Sequence, residues 1–468
     1  MPAVLISGVM TQRGKKLETV GFVALGCPKN AVDSEKMLGE IAQAGYVITD
    51  DAERADVVVI NTCGFIAPAK AEALEAIRRM VECKRAGTVR RVIVAGCLPQ
   101  RLGRELFGEA EGIDAIVGLA RREEIARIIG KTLASKRPAA YLGRAEQAGE
   151  DRLAQRPEEC LDVPDDRVRL RISPAHWAYL RISEGCNHRC SFCTIPAIRG
   201  RFRSKPRELV LAEAAELVSA GAVELNIIAQ DTTYYGRDLR IKHALAVLLG
   251  ELERIEGLKW IRLMYSYPAE IDGRLIDTIA GSKKIVHYID VPVQHISTEI
   301  LKSMRRPDTK EQIYGLIEKL RSVISDIALR TTLIAGFPGE TDGQFEELLE
   351  FVKWAEFDAL GCFKFYPESG TAAAEMPGQV PEQVKERRVE GLMLTQQKIA
   401  FAKNEMRMGT TMTCLVDSVD AQGTGKGRFY GQAPDIDSVC IIENCSAAPG
   451  RFVDTKVIGT KDYDLIVK

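Results

Sequence analysis

The chain has 468 residues, with 64 Lys and Arg against 65 Asp and Glu for a net charge of −1, and 46% of its residues are hydrophobic. That length holds two or three domains with cores of their own, and the even charge excludes a global basic footprint for nucleic acid while leaving room for a local patch. Twelve cysteines point to metal ligands plus bystanders and away from a disulfide framework. No apolar run approaches the ~18 residues of a membrane span, so a cytoplasmic location is expected.

Residues 1–19 carry Arg13, Lys15 and Lys16 but no apolar core with a cleavage site, and are expected to be an N-terminal extension and not a signal peptide. Beyond them one design repeats three times: Gly21-Phe-Val-Ala-Leu-Gly-Cys27, Asp56-Val-Val-Val-Ile-Asn-Thr-Cys63 and Arg91-Val-Ile-Val-Ala-Gly-Cys97. Each is a short apolar run that ends in a cysteine beside Gly or Pro. With helical patterns over 34–44 and 68–84 between them, such runs predict a doubly wound parallel α/β domain over 20–133. Parallel strands share a carboxyl edge, where these folds bind ligands, so Cys27, Cys63 and Cys97 are expected to converge there as three thiolates. Burial as small hydrophobes suits any one of them, but not the repeated placement. Cys83 sits in the helical stretch and is a bystander. Residues 134–173, charged and scattered with prolines, read as a linker, and Cys160 within it has no neighbouring ligand.

The run Glu184-Gly-Cys186-Asn-His188-Arg-Cys190-Ser-Phe192-Cys193 supplies three thiolates from one loop and no obvious fourth. Iron–sulfur cubanes normally take four cysteines, so a cubane held by three leaves one iron open to a small molecule. The alternative is zinc with His188 as fourth ligand, although structural zinc sites usually pair two separated ligand doublets.

Around this loop, strands are predicted over 178–183, 223–229, 260–265, 285–291, 328–334 and 361–365, and helices over 207–220, 241–255, 269–281, 310–325 and 343–356. Six βα units with right-handed crossovers make an open (β/α)6 barrel over 174–402. Its functional loops leave the carboxyl ends of the strands. Gln230 and Asp231 follow the second strand, Gln294 and His295 the fourth, and Gly336, Pro338, Gly339 and Glu340 the fifth. From spacing alone the last group is equally a plain strand-to-helix turn, and a lone histidine such as His295 is given no proton-transfer role.

Residues 403–468 change pattern. Short strands over 410–417, 427–432, 438–443 and 452–460, separated by turn residues, predict a small antiparallel β-barrel. Cys414, Cys440 and Cys445 form no ligand doublet and read as core or surface thiols. The segment holds eight Lys and Arg and nine Asp and Glu; a module made to grip phosphates would be clearly basic.

The CxxxCxxC cluster with Phe192 before its last cysteine resembles the signature of radical S-adenosylmethionine enzymes. The resemblance implies that Cys186, Cys190 and Cys193 hold a [4Fe-4S] cluster whose open iron chelates S-adenosylmethionine, from which one electron releases a 5′-deoxyadenosyl radical. A three-cysteine α/β domain ahead of such a core, and a barrel in the place of a TRAM domain behind it, resemble the methylthiotransferase family. That likeness gives Cys27, Cys63 and Cys97 an auxiliary [4Fe-4S] cluster linked to sulfur delivery, places Gly336, Glu340 and Gln230 by the cofactor, and makes the barrel the binder of a macromolecular substrate.

The strings Gly26-Cys-Pro-Lys-Asn30, Val32-Asp-Ser-Glu35, Gly185-Cys-Asn-His-Arg-Cys190, Gln294-His295 and Ala433-Pro-Asp-Ile-Asp437 resemble the family's ribosomal branch. That branch modifies an aspartate β-carbon on the twelfth protein of the small ribosomal subunit. One departure is Asp437-Ser438, where the branch has glycine after the aspartate, which puts the local turn in question. The implied partners are that ribosomal protein and an electron donor such as flavodoxin or ferredoxin, with no membrane, no nucleic acid as substrate and the sulfur donor unspecified. The alternatives are a tRNA adenosine methylthiotransferase with the same two clusters, and a non-catalytic iron–sulfur protein that binds ribosomes or RNA.

Overall fold

The computed structural model describes residues 17–143 and 163–468. Most of the N-terminal extension, the middle of the predicted linker and Cys160 lie outside the described residues. The chain forms two compact units: one takes the described residues up to Ile172 together with Thr194–Arg201, and the other takes Ser173–Cys193 with Phe202–Lys468. Among the described residues no helix is long and apolar enough to cross a membrane.

The first unit is built on six parallel strands, β1 (Thr19–Ala24), β2 (Val47–Thr49), β3 (Val57–Thr62), β4 (Arg91–Gly96), β5 (Ala115–Val117) and β6 (Ala139–Tyr141), in the order β2-β1-β3-β4-β5-β6. Side chains alternate across a strand. Val58, Ile60, Val92 and Val94 therefore join one core, and Val57, Val59, Ile93 and Ala95 join another on the opposite face. A strand buried on both faces has few polar positions to spare, which is why residues 57–60 of β3 and 92–95 of β4 read as apolar runs, with polar Asn61 and Thr62 entering only at the carboxyl edge. The strand order reverses beside β1, so the β1/β3 edge is the switch point where doubly wound sheets bind ligands. Strands β2, β5 and β6, three residues each, were too short to leave a period in the sequence. The first helix runs over Pro28–Gln43, starting six residues before the predicted 34, because Pro28 has its φ set for the first helical turn and lacks only an N–H that would be unpaired there.

The second unit carries β7 (Trp177–Arg181), β8 (Ser183–Glu184), β9 (Arg203–Ser204), β10 (Glu224–Ile228), β11 (Trp260–Leu263), β12 (Ile285–Asp290), β13 (Ala328–Ala335) and β14 (Ala359–Lys364). Six of them form an open parallel sheet, β14-β13-β12-β11-β10-β7, with β7 and β14 as its edges, while β8 and β9 pair separately. This is the expected (β/α)6 architecture, and its crossover helices bury Leu217, Leu248, Ile276, Leu320 and Phe351 against the sheet. The 25-residue helix Glu382–Met406 left no clear apolar stripe in the sequence, since Lys385, Arg388, Gln396 and Asn404 are among its five buried residues.

The C-terminal barrel closes in the order β15-β16-β17-β19-β18 from β15 (Thr411–Val419), β16 (Gly425–Arg428), β17 (Cys440–Ile442), β18 (Phe452–Lys461) and β19 (Asp464–Val467). The expectation of four antiparallel strands is corrected in one respect. The fifth strand, β19, follows a two-residue turn after β18 and pairs in parallel with β17, because a chain returning beside β18 reaches the open edge of β17 in that sense. Ser438 takes no left-handed conformation; Asp435, at φ +66°, is the turn residue instead. Asp437 binds the sheet through its carboxylate, which accepts from Tyr288 Oη at 2.9 Å and Arg330 Nε at 3.3 Å.

Candidate active site and auxiliary cysteine site

In the first unit Cys27 directly precedes the helix Pro28–Gln43, Cys63 follows β3, and Cys97 opens the short helix Cys97–Leu102 after β4. Asn30 clamps this edge: its Nδ2 donates to Leu25 O at 3.2 Å and Thr62 O at 3.0 Å. Asn61 Nδ2 answers from β3 by donating to Asn30 O at 2.9 Å and Ser34 Oγ at 2.8 Å. Gly96 sits at φ +99° where a Cβ would stand 2.3 Å from Asn61 Oδ1, so only glycine lets β4 approach this clamp. Cys27 lies close enough to perturb the other two thiols. Burial, then the Arg199 cation acting in the opposite sense, then Cys27 and Cys63, leave the Cys97 thiol pushed up to about 12. Burial and then Cys27 raise Cys63.

In the second unit the loop after β7 and β8 carries Cys186, Cys190 and Cys193, turned by a Cys193 N–H to Cys190 O bond of 3.2 Å. Burial, then Cys193, push Cys186 up; burial pushes Cys190 up against the opposing Arg306 guanidinium. His188 is committed elsewhere. Its Nε2 bonds Asp231 Oδ2 at 2.6 Å and its ring stacks on Tyr267 at 3.8 Å between centroids, which removes the fourth ligand from the zinc alternative. Among the described residues no three His, Cys, Asp or Glu side chains close around a single metal ion. A multi-iron cluster gives each cysteine its own iron and needs its thiolates spread wider than one ion does. Buried thiols that destabilise one another as anions fit such a cluster, whose irons would take up their charge.

Around this loop Gln230 Nε2 donates to Glu184 Oε1 at 2.9 Å, while Gln230 Oε1, Ser266 Oγ and Tyr267 Oη are buried without hydrogen-bond partners. Buried polar groups are normally paired, so a cluster of orphans at the carboxyl ends of β10 and β11 fits a polar ligand. Tyr265 and Gln294, just past β11 and β12, hold left-handed backbone at φ +60° and +69°, a strain that gathers at functional sites. Gln294 stands four residues beyond β12 and bridges to Leu333. His295 is fully buried, its Nδ1 accepting from Ser297 N at 3.0 Å.

Glu340 holds its own turn: its Oε2 accepts from Gly336 N at 2.7 Å and Phe337 N at 3.2 Å, and its Oε1 accepts from Arg388 Nη1 at 3.0 Å. It shapes the loop after β13, and Gly336, at φ +75°, lies against Lys385. Glu340→Gln keeps an oxygen for the backbone but removes the anion beside Arg388. It is expected to cost about 1–3 kcal/mol in urea unfolding; an unchanged midpoint would show that Arg388 finds another partner.

Sequence reasoning passed over Arg199, Arg306 and Tyr267, and gave Asp231 only a place at the barrel mouth. The Pro-Ala-Ile-Arg199 string does place a cation shortly after Cys193, but nothing in its composition signals a buried arginine.

The Radical SAM superfamily pattern matches residues 180–352, which puts the central sheet and its cysteine loop in that class; the Uncharacterized protein family UPF0004 pattern matches residues 19–118 and the TRAM domain pattern residues 408–468. A solved radical S-adenosylmethionine methyltransferase, TsrM from Kitasatospora setae, shares the fold with a TM-score of 0.53 at 17% identity, covering 76% of this chain and 77% of its own. The ribosomal protein uS12 methylthiotransferase RimO of Geobacter sulfurreducens is 45% identical over 96% of this chain and 98% of its own length, and that of Symbiobacterium thermophilum is 43% identical over 96% and 90%. The chain belongs to the ribosomal protein uS12 methylthiotransferase family.

Proposed function

We propose that this protein transfers a methylthio group to the β-carbon of an aspartate in ribosomal protein uS12, in the cytoplasm, drawing electrons from a donor such as flavodoxin or ferredoxin. The observation that carries the reading is the presence in one chain of two three-cysteine sets, one at the carboxyl ends of β1, β3 and β4 and one in the single loop that follows β7 and β8, together with a closed five-stranded barrel. When bound, two [4Fe-4S] clusters and S-adenosylmethionine supply the radical, the methyl group and the sulfur-carrying centre. Cys186, Cys190 and Cys193 would hold one cluster, and Cys27, Cys63 and Cys97 the other.

The remaining residues bind and orient. Gln230 offers its unpaired Oε1 as an acceptor for the amino group or ribose of S-adenosylmethionine. Asp231 holds His188 in place, and the stack of His188 on Tyr267 fixes the cysteine loop from one side. On the other side Ser191 N and Oγ donate to Met304 O at 3.0 Å and Ser303 O at 2.8 Å. A loop pinned on both sides would hold its three thiolates, and a cluster bound to them, in one place. Glu340 and Arg388 do the same for the turn after β13.

The test is mass spectrometry after incubating the reconstituted protein with S-adenosylmethionine, a sulfide source and either uS12 or bulk tRNA. A methylthio adduct on a uS12 aspartate is expected; an adduct on adenosine would transfer the chain to the tRNA reading, which the uS12 methylthiotransferase relatives and the slightly acidic barrel do not favour. In the same assay, replacing Cys27, Cys63 and Cys97 by alanine is expected to leave 5′-deoxyadenosine formation in place and remove the adduct. If that variant still modified uS12, the auxiliary role would be wrong.

A further inference from the structure

Arg199 stands six residues beyond Cys193 in the chain, yet its segment Thr194–Arg201 belongs to the first unit. It is 1% exposed, among the most deeply buried charged residues described. Its Nη2 donates to Asn30 Oδ1 at 2.7 Å and to Asp33 Oδ2 at 2.9 Å, and reaches Cys97 Sγ at 3.4 Å. Asn30 and Asp33 lie one turn apart on the helix that Cys27 precedes. That helix therefore presents an acceptor and an anion that hold the guanidinium against the sulfur after β4. Cys97 Sγ is itself 3.4 Å from Asn30 Oδ1, so sulfur, amide oxygen and guanidinium form one contact triangle. Ile198, the residue before, packs with Cys97 and Leu119 and fixes the segment in depth.

We propose that Arg199 is a positioning residue of the auxiliary centre, donating a charge-assisted hydrogen bond to the Cys97 sulfur and thereby setting the reduction potential of the iron–sulfur cluster on Cys27, Cys63 and Cys97. The inference rests on the ligand assignment made above. Hydrogen bonds to cluster sulfurs and nearby cations stabilise the more negative, reduced form and raise the potential. Buried in a low-dielectric site, one guanidinium acts with little screening. An arginine with a merely structural role would hold the helix Pro28–Gln43 without altering the electronic state of the cluster.

The experiment uses the full chain with Cys186, Cys190 and Cys193 replaced by alanine, so that only the auxiliary cluster is reconstituted with iron and sulfide. Dithionite delivers one electron to the cluster, and the reduced fraction is read by paramagnetic resonance at a series of poised potentials. Arg199→Gln is expected to lower the ratio of reduced to oxidised cluster about tenfold at a fixed potential near the midpoint, a shift of about 59 mV to more negative values for a one-electron couple. Arg199→Lys, which keeps the charge and loses the fork, is expected to shift less in the same direction. Equal potentials in the parent and Arg199→Gln would overturn the proposal. If Arg199→Gln assembles no cluster, Arg199→Lys decides: a shifted potential supports the role, an unshifted one overturns it. Cluster loss in both variants, with circular dichroism like the parent's, replaces tuning by assembly and also overturns it. A parent without iron or charge-transfer absorbance would instead remove the ligand assignment itself.

Discussion

Replacing Cys186, Cys190 and Cys193 by alanine is expected to abolish 5′-deoxyadenosine formation from S-adenosylmethionine under dithionite, a loss of at least about a thousandfold given that the reaction depends wholly on the cluster electron. The three thiols come from eight consecutive residues, and the loop has no other means of holding them. The described surroundings supply no substitute ligand: His188 is bonded to Asp231 and stacked on Tyr267. The measurement is chromatography of the quenched reaction, beside iron analysis of the protein. Persistent cleavage would mean that the electron enters from elsewhere and that the loop is structural. It would also revive the non-catalytic reading for this loop while leaving the auxiliary site untouched.

The second large effect is expected at Arg428, where the C-terminal barrel meets the central sheet. Its Nε and Nη2 form a fork on Asp417, each at 2.8 Å, and its Nη1 donates to Glu224 Oε2 at 2.7 Å. Glu224 in turn receives Arg262 Nε at 3.0 Å, and Asp417 bonds His176 Nε2 at 2.8 Å. Charges thus alternate from Asp417 through Arg428 and Glu224 to Arg262, with His176 bonded at the Asp417 end. Burial pulls the Arg428 guanidinium down, but Glu224 and Asp417 outweigh it and hold the group above its ordinary range.

Arg428→Met leaves two carboxylates facing a hydrocarbon, Glu224 at 0% exposure, and is expected to cost about 3–5 kcal/mol. All three tryptophans lie in the second unit, and Trp260 packs edge-on to Phe452 of the barrel at 4.9 Å, so fluorescence during urea unfolding reads this junction directly. A loss below about 1 kcal/mol would show the network to be solvated in practice. Acid should weaken the same junction. Burial raises the Asp417 carboxyl, but His176 and Arg428 more than offset that and hold it below the usual range. The stability it contributes is complete above its unfolded pKa and is lost as pH falls through the folded value.

How far the sequence could be read depended on whether a signal was local. The CxxxCxxC loop was legible from the spacing of its cysteines, and the three cysteines at strand ends because each sits beside the Gly or Pro that closes an apolar run. The six central strands were legible from a similar local signal: each is a short, mostly apolar run, broken by single residues such as Asn226, Arg262 or His287, between helical spacings. Short strands such as β5 and β6 were not, since three residues hold no period. The helix Glu382–Met406 escaped because it buries polar side chains, whose partners Glu340 and Phe357 O lie about 40 or more residues away.

The sequence by itself determined the two cysteine sets, the parallel sheets that carry them and the family resemblance, because these follow from residue type and short-range periodicity. Only the tertiary structure decided that His188 belongs to Asp231 and not to a metal, that Glu340 is taken up by its own turn and Arg388, that β19 closes the barrel beside β17, and that Arg199 and Arg428 are buried. The physical reason is common to the four side chains. A charged or polar side chain is placed by its partners, those partners are supplied by distant segments, and the energy of an ion pair or buried hydrogen bond depends on a desolvation that no local pattern encodes.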